Sequence, residues 1–392
     1  MHSLRSLTDV EPPDPTPYAY TAARDDFSRQ VYCILGVPYD AVDMPSLVQT
    51  VHSVAANRAP FFISTSNLNY LVLSQRDPEF RETLLGSDLC TADGMPIIWT
   101  ARLMGLPFSQ RVAGSDMLQA IKAEGNSRSR LKLFLFGGKD GTVEAASNAL
   151  NASISGLRCV GTLNPGIGTV EELSHSHFID QINASQADFL IVALGAHKGQ
   201  LWLQRNAYRL KVPIRAHLGA TIGFEAGKVR RAPPMLSRIG FEWLWRIKEE
   251  PYLWRRYWDD GKAFVGLLAT RVLPLAVRAR WRRLHGSDKQ DLEIESKQGP
   301  DTVTLRLTGF ATARNVDKAI PAFRNAAACK NNIAIDLSGT CAIDQRFLGL
   351  LLMLRKQAKK QGGKLTFTGA SARLAKLFRL NGAEFLLASS SA

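Results

Sequence analysis

No Asp-x-Asp occurs anywhere in this 392-residue chain, and no two of its cysteines form a C-x-x-C. The first absence removes the commonest acidic pair for holding a divalent cation. The five cysteines (Cys33, Cys90, Cys159, Cys329 and Cys341) are odd in number and scattered. They exclude a disulfide framework and a zinc site and point to a reducing compartment. The pair His175/His177 falls inside a helical pattern, which argues against a metal site there. Neither G-x-G-x-x-G nor a P-loop is present, so a dinucleotide fingerprint is lacking. Long apolar runs are missing too. The most apolar late stretch, residues 263–277, is broken by Arg271 and Pro274, short of the roughly 18 to 20 residues a membrane span needs. The first thirty residues are polar and contain Glu11-Pro12-Pro13-Asp14-Pro15, with no apolar core of a secretory signal. The expectation is a cytoplasmic protein, soluble or peripheral to a membrane.

Acid is also scarce. Thirty-five Asp and Glu face 49 Lys and Arg, a net charge of +14, in an otherwise ordinary composition of 45% hydrophobic and 21% charged residues. Such an excess calls for an anionic partner: nucleic acid, anionic lipid or a phosphorylated ligand. Its location is informative. Residues 228–283 hold fourteen Lys or Arg against five acids, a net of +9, and five of the seven tryptophans. Arginine and tryptophan interleave at helical spacing, as in Trp254-Arg255-Arg256-Tyr257-Trp258. That suits a membrane interface, where Trp sits at headgroup depth and Arg meets lipid phosphate. It suits equally a helix that packs its Trp inward and leaves a solvated basic face.

The length predicts two domains and tails. Residues 1–28 read as a mobile tail. From residue 29 to 227, β-rich runs (31–35, 61–65, 131–136, 157–162, 189–194, 214–218) alternate with helical patterns (44–56, 116–124, 142–150, 170–184, 200–210). This predicts an α/β fold, a Rossmann-like parallel sheet with helices on both faces and its ligand at the carboxyl ends of the strands. Residues 228–285 form the basic Trp/Arg-rich helical appendage. A polar hinge at 286–290 leads to a second small α/β domain, 286–392, with strands near 302–307, 333–337 and 364–368 and helices near 347–361 and 372–380.

The chain is organised around residues 61–111. Phe61-Phe62-Ile63 opens a buried strand, and Thr65-Ser66-Asn67 brings polar groups to its end. Further on, Thr91-Ala92-Asp93-Gly94-Met95-Pro96 places a lone carboxylate at a strand-to-helix turn. Such a carboxylate serves either as a helix N-cap or as a general base at the mouth of an α/β cleft. Gly137-Gly138-Lys139-Asp140-Gly141-Thr142 follows a strand and opens a helix, a geometry suited to a nucleotide.

These segments resemble the WecG/TagA/CpsF family of bacterial glycosyltransferases over residues 30–260. The likeness rests on Thr65 and Asn67, on Ala92-Asp93-Gly94-Met95-Pro96, and on Arg111-Val112-Ala113-Gly114-Ser115-Asp116. It continues through Gly195-Ala196-His197-Lys198-Gly199-Gln200-Leu201-Trp202 and Gly227-Lys228-Val229-Arg230-Arg231-Ala232-Pro233. The resemblance implies inverting transfer of a sugar from a UDP donor to a polyprenyl-diphosphate-linked saccharide, in exopolysaccharide, capsule or cell-wall polymer synthesis. Asp93 is the implied base and Arg111 a phosphate or sugar clamp; Thr65 and Asn67 contact the donor, with helix capping as their other reading. Gly137 and Gly138 approach the nucleotide. The appendage meets membrane and acceptor, with Arg230, Arg231, Arg255 and Arg256 toward the acceptor pyrophosphate. No metal or other cofactor is expected, since backbone N–H groups and arginines can meet the leaving charge. Many members carry Gln-Glu where this chain has Gly199-Gln200, and an aspartate where it has Gly223. Those contacts are lost or shift to Gln200 and Glu225.

Residues 291–390 resemble a STAS domain through Ile333-Ala334-Ile335-Asp336-Leu337-Ser338, Ile343-Asp344, Leu348-Gly349 and Gly362-Gly363-Lys364-Leu365. In phosphoregulated members a serine follows the second aspartate. Here Gln345 and Arg346 follow it, so a serine-kinase switch cannot act there, and the domain reads as a docking, ligand-sensing or structural module with a possible protein partner. Three other functions are weighed: a catalytically degenerate membrane-docked scaffold, nucleic-acid binding, and a nicotinamide-dependent dehydrogenase. Tryptophan richness and the lack of a nucleic-acid motif argue against the second; the missing glycine fingerprint argues against the third.

Overall fold

The computed structural model describes residues 25–124, 130–152, 154–233, 235–236, 240–285, 291–329 and 332–388. Most of the expected tail, residues 1–24, and the hinge at 286–290 lie outside them. The tail's last residues are a correction: Asp26–Ser28 is a 3₁₀ turn capped by Asp25, and Asp26 is buried. A second correction follows at once. The run at 31–35 joins no large sheet. Strands β1 (Val31–Ile34) and β2 (Val37–Asp40) form an antiparallel hairpin of their own, because Leu35 and Gly36 both take positive φ and turn the chain back within two residues.

The main sheet has six strands, β3 (Phe61–Ser66), β4 (Leu89–Ala92), β5 (Leu131–Gly137), β6 (Leu157–Leu163), β7 (Phe189–Ala193) and β8 (Ile214–His217). Their order is β4-β3-β8-β7-β5-β6, and every pairing is parallel. Strands β5 and β7 are apolar almost continuously, as suits strands covered on both faces. Helices α1 (Met44–Asn57), α5 (Gly114–Ala123), α6 (Thr142–Ala152) and α9 (Gly219–Glu225) pack into the core of one face. Helices α7 (Ser176–Ala184) and α8 (Ala196–Arg205) cover the other, with Trp202 fully buried against Phe136. Helices α2 (Leu68–Arg76), α3 (Pro78–Leu85) and α4 (Met95–Leu103) flank β4 and the hairpin.

The appendage comprises α10 (Glu242–Glu249), α11 (Trp254–Leu267), a π-helical turn at Leu268–Val272 and α12 (Leu273–His285). One face of α11 grips the body: Leu253, Asp260 and Phe264 are buried, and the Asn69 amide donates to both Asp260 oxygens at 3.1 and 3.3 Å.

The C-terminal domain has a sheet of β9 (Leu292–Gln298), β10 (Thr302–Ala311), β11 (Asn332–Asp336), β12 (Thr340–Ile343) and β13 (Leu365–Thr368). It carries α13 (Val316–Ala328), α14 (Gln345–Lys360), α15 (Ala372–Leu380) and α16 (Glu384–Ala388). Its core is continuous with that of the hairpin. At Gly349 in α14 a Cβ would lie 2.1 Å from the Val31 carbonyl oxygen, so only glycine admits the hairpin that close. Beside it the fully buried Arg29 guanidinium donates to both oxygens of Asp40 (2.9 and 2.7 Å) and to Asp26 (2.8 Å). Lys356 of α14 reaches Asp26 (3.0 Å), Asp88 (2.8 Å) and the Ser87 carbonyl (2.9 Å). The hairpin thus belongs to both domains.

Candidate active site

Read across the sheet, the strand ends bring the candidate residues into one row. Asp93 follows β4, Thr65 and Asn67 end β3, His217 closes β8, Gly195 follows β7, and Gly137 and Gly138 end β5. All of them line one open cleft of about 1570 Å³, whose outer wall is built by α10 and α11. This is the position the strand topology assigns to a ligand.

Asp93 is not a helix cap. Gly94 occupies the N-cap position of α4 and supplies no side chain, while the Asp93 N–H donates to the Ser66 carbonyl at 3.0 Å and fixes the turn. Of the two readings open in the sequence, the carboxylate facing the cleft is the one realised. Burial pushes its pKa up to about 7; Arg111 and the Gly114 N–H pull it down, and Glu242 and Asp116 push it further up. A carboxyl group balanced near neutrality can take a proton from a hydroxyl.

Arg111 lines the cleft but is engaged by protein carboxylates. It donates to Asp116 at 2.7 Å and to Glu242 of α10. Burial lowers its pKa, but Glu242, Asp93 and Asp116 together hold it above the ordinary arginine range. It therefore ties the appendage to the floor of the cleft beside Asp93. Thr65 is buried at the end of β3. Asn67 lines the cleft and also caps α2, accepting the Tyr70 N–H at 3.2 Å. Gly137 and Gly138 have φ of +92° and +99°, and a Cβ at Gly137 would lie 2.7 Å from the Ala193 carbonyl oxygen. Glycine is needed there for both reasons.

Positive charge enters from Lys228, which donates to Thr142 (2.8 Å) and the Asp140 carbonyl (3.2 Å), from Lys139 over the Tyr252 ring, and from Arg256. Helices α4 and α8 start at the cleft on Gly94 and Gly195 without a side-chain cap, whereas α5 offers its first N–H, that of Gly114, to Asp93. By contrast α1 and α3 are capped by Asp43 and Asp77. Uncapped N–H groups and the positive end of each helix field favour an anion.

Several expected contacts do not reach the cleft. Gln200 is fully buried, bonded to Ser64 and to the Tyr70 hydroxyl. Glu225 points to α5, where it accepts from Lys122 (2.7 Å) and Gln119 (2.8 Å). Arg230 and Arg255 are exposed on the appendage, Arg255 over the Trp254 ring. Arg231 is exposed as well and donates to Ser115 and Asp116. Of the four arginines only Arg256 lines the cleft. His217, Tyr70, Lys228 and Glu242 are the residues the sequence reading missed. Lys228 stands inside a motif already quoted and was legible from position; His217 ends a strand that was anticipated, but its central place depends on the strand order.

Four of the five tryptophans of the appendage face outward, while the half-buried Trp245 donates to the Arg230 carbonyl at 2.9 Å. Trp243, Trp254, Trp258 and Trp281 are 39, 52, 63 and 56% exposed. Among the described residues, eleven of the sixteen exposed large hydrophobics lie from Met235 to Trp281, which decides against the inward-packing alternative for most of these side chains. Among the described residues no helix is long and apolar enough to cross a membrane.

A parallel α/β domain with a cleft at the carboxyl ends of its strands is a common ligand-binding architecture. The chain belongs to the glycosyl transferase WecG/TagA/CpsF family, whose profile matches residues 32–277, and residues 294–388 match the Mlab, STAS domain. Its relatives include N-acetylglucosaminyldiphosphoundecaprenol N-acetyl-beta-D-mannosaminyltransferases. That of Bacillus spizizenii (strain W23) is 23% identical over 207 residues, covering 53% of this chain and 78% of that protein. Those of Bacillus subtilis (strain 168) and Staphylococcus aureus (strain MW2) are each 22% identical over 228 residues. They cover 58% of this chain and 87% of the former, and 57% of this chain and 85% of the latter. A solved structure of the anti-sigma factor antagonist SpoIIAA in its unphosphorylated form matches 22% of this chain and 81% of its own, at 19% identity. Its TM-score of 0.20 carries no argument.

Proposed function

We propose that this protein is a metal-independent inverting glycosyltransferase that moves a sugar from a UDP donor to a polyprenyl-diphosphate-linked saccharide, in assembly of a bacterial cell-surface polymer. The observation that carries this reading is Asp93, released from capping and balanced near neutral pH at the floor of the cleft. The relatives named above act, by their names, on an N-acetylglucosaminyl diphosphoundecaprenol.

In the proposed reaction Asp93 accepts the proton of the acceptor hydroxyl. The freed oxygen pair attacks the anomeric carbon from the face opposite the leaving group, and the bond to the diphosphate breaks. A single displacement inverts the anomeric centre. The departing UDP carries its charge toward Gly137, Gly138, Lys139 and Lys228 at the β5 side of the cleft. The metal-free reading rests on that donor set of cations and helix starts along the cleft.

The acceptor's lipid places the reaction at a membrane. The exposed Trp254 and Trp258 both border the cleft, so the face that would meet the bilayer opens directly into the site. With the basic charge of the appendage, this supports peripheral attachment to the inner face of the cell membrane.

Calorimetric titration with UDP, beside ATP, GDP and NAD and with and without a chelator, tests the donor. UDP binding that is selective and survives chelation is expected. Binding of UDP only with a divalent cation would overturn the metal-free reading, and absence of nucleotide binding would favour the scaffold.

A further inference from the structure

Among the described residues three buried side-chain nitrogens have no hydrogen-bond partner: Nε of Arg81, Nε of Arg246 and Nε2 of His217. His217 and Arg246 border the cleft. His217 stands on a rigid strand end at its centre, and its surroundings are built to hold the ring in one pose.

The Gln200 amide donates to the Tyr70 hydroxyl oxygen at 3.3 Å, and that hydroxyl stands 2.8 Å from Nδ1 of His217. The hydroxyl's other partner, the Gln200 amide, is itself a donor, so the acceptor at hand for the tyrosine proton is Nδ1. Nδ1 is then the acceptor nitrogen, and the neutral ring carries its proton on Nε2. Burial supports the neutral form by holding the ring's pKa down at about 4. The opposite edge is fixed by absence: a Cβ at residue 199 would lie 2.4 Å from Cδ2 of His217, so the ring occupies the space a side chain at Gly199 would take. Nε2 itself lies beside Gly219, where even a methyl would come within 3.3 Å.

Strand order then says what this nitrogen faces. His217 ends β8, two strands from Asp93 on one side and two strands from Gly137 on the other. At about 4.8 Å per strand it stands roughly 10 Å from each. With the diphosphate and nucleotide at the glycine side and the base at Asp93, the middle position belongs to the transferred sugar.

We propose that His217, held by Tyr70 and Gln200 and admitted by Gly199, donates its Nε2–H to an oxygen of the transferred sugar and sets donor specificity. This rests on the UDP-sugar reading above and assigns the middle of its cleft. It also gives Gly199 a role: the side chain absent there is replaced by one arriving from the neighbouring strand.

The test compares affinities of the full chain for UDP and for UDP-N-acetylmannosamine, UDP-N-acetylglucosamine and UDP-glucose. The wild type binds at least one UDP-sugar more tightly than UDP. His217→Ala keeps UDP affinity within about twofold and loses about tenfold toward that sugar nucleotide. His217→Gln, whose amide reaches near the Nε2 position, recovers part of the loss, and Gly199→Ala, which displaces the ring, reproduces it. Melting curves of each variant show that it is folded. If His217→Ala keeps the full preference for the sugar nucleotide, the assignment of His217 is wrong and the UDP-sugar reading stands. Equal loss toward UDP and UDP-sugar overturns it too, placing His217 at the nucleotide. If the wild type binds no uridine nucleotide, both readings fall together.

Discussion

Replacing Asp93 by asparagine separates chemistry from stability within one residue. Asparagine keeps the shape and an acceptor for the Gly114 N–H but cannot take a proton. Transfer should fall by about 10²-fold or more while UDP affinity stays nearly unchanged. The raised pKa makes a second, independent expectation. A carboxyl at about 7 in the folded protein, against about 4 unfolded, holds its proton more tightly when folded. Between those values the folded state binds more protons, so its stability falls as pH rises from about 4 to 7 and stays reduced above. Three units correspond to a ceiling of about 4 kcal/mol; partial solvent contact at the cleft floor reduces this to about 2 kcal/mol. Asp93→Asn should therefore be more stable than wild type at pH 8, by about 2–4 °C in melting temperature, and indistinguishable from it at pH 4. Wild-type kcat/KM should rise through pH 7 as the base deprotonates. A melting difference that is the same at both pH values would refute the raised pKa, and unchanged turnover would remove Asp93 as the base.

The remaining expectations concern the appendage and the domain junction. Trp254→Ala combined with Trp258→Ala should weaken binding to anionic liposomes about tenfold or more, since each exposed ring contributes one to a few kcal/mol when buried at the interface. Flotation reads this out, and UDP affinity should not change. Arg29→Met leaves the buried Asp40 without its cation and Asp26 to Lys356 alone at close range, and should cost about 3–5 kcal/mol. Urea unfolding checks it; an unchanged midpoint would show that the cluster does not hold the domains together.

Much of the cleft floor was legible because its residues sit in consecutive motifs at strand ends, where glycine, proline and a polar residue mark the turn. Asp93, Thr65, Asn67 and the Gly137-Gly138 pair fall into this group. The alternation of apolar runs and helical patterns predicted the parallel sheet for the same reason, since buried strands need continuous apolar sequence. What escaped was tertiary. Gln200 and Glu225 are polar residues beside recognisable motifs, yet helical phase turns one into the interior and the other toward Lys122. Nothing local distinguishes a hairpin strand from a sheet strand at 31–35, because its partner for packing is α14, more than 300 residues away. Strand β4, Leu89–Ala92, is not among the expected β-rich runs and was implied only by the strand-to-helix turn at Asp93. His217 required knowledge of which strand is central, and strand order is not written in any one segment.

The hairpin that serves two cores also sets a timetable for the chain's birth. Val31, Cys33, Ile34 and Val37 are wholly buried in the finished protein, and much of what covers them is α14, starting at Gln345. A ribosome adding roughly 5–20 residues per second exposes these strands for on the order of 15 to 60 s before their cover emerges. Once β8 has been made, the transferase half has a sheet and an Asp93 turn but an open apolar flank, which is a surface prone to wrong pairing. The C-terminal domain is the piece that ends this exposure, so a nascent or truncated chain stopping before α14 is a client for chaperones rather than a smaller enzyme.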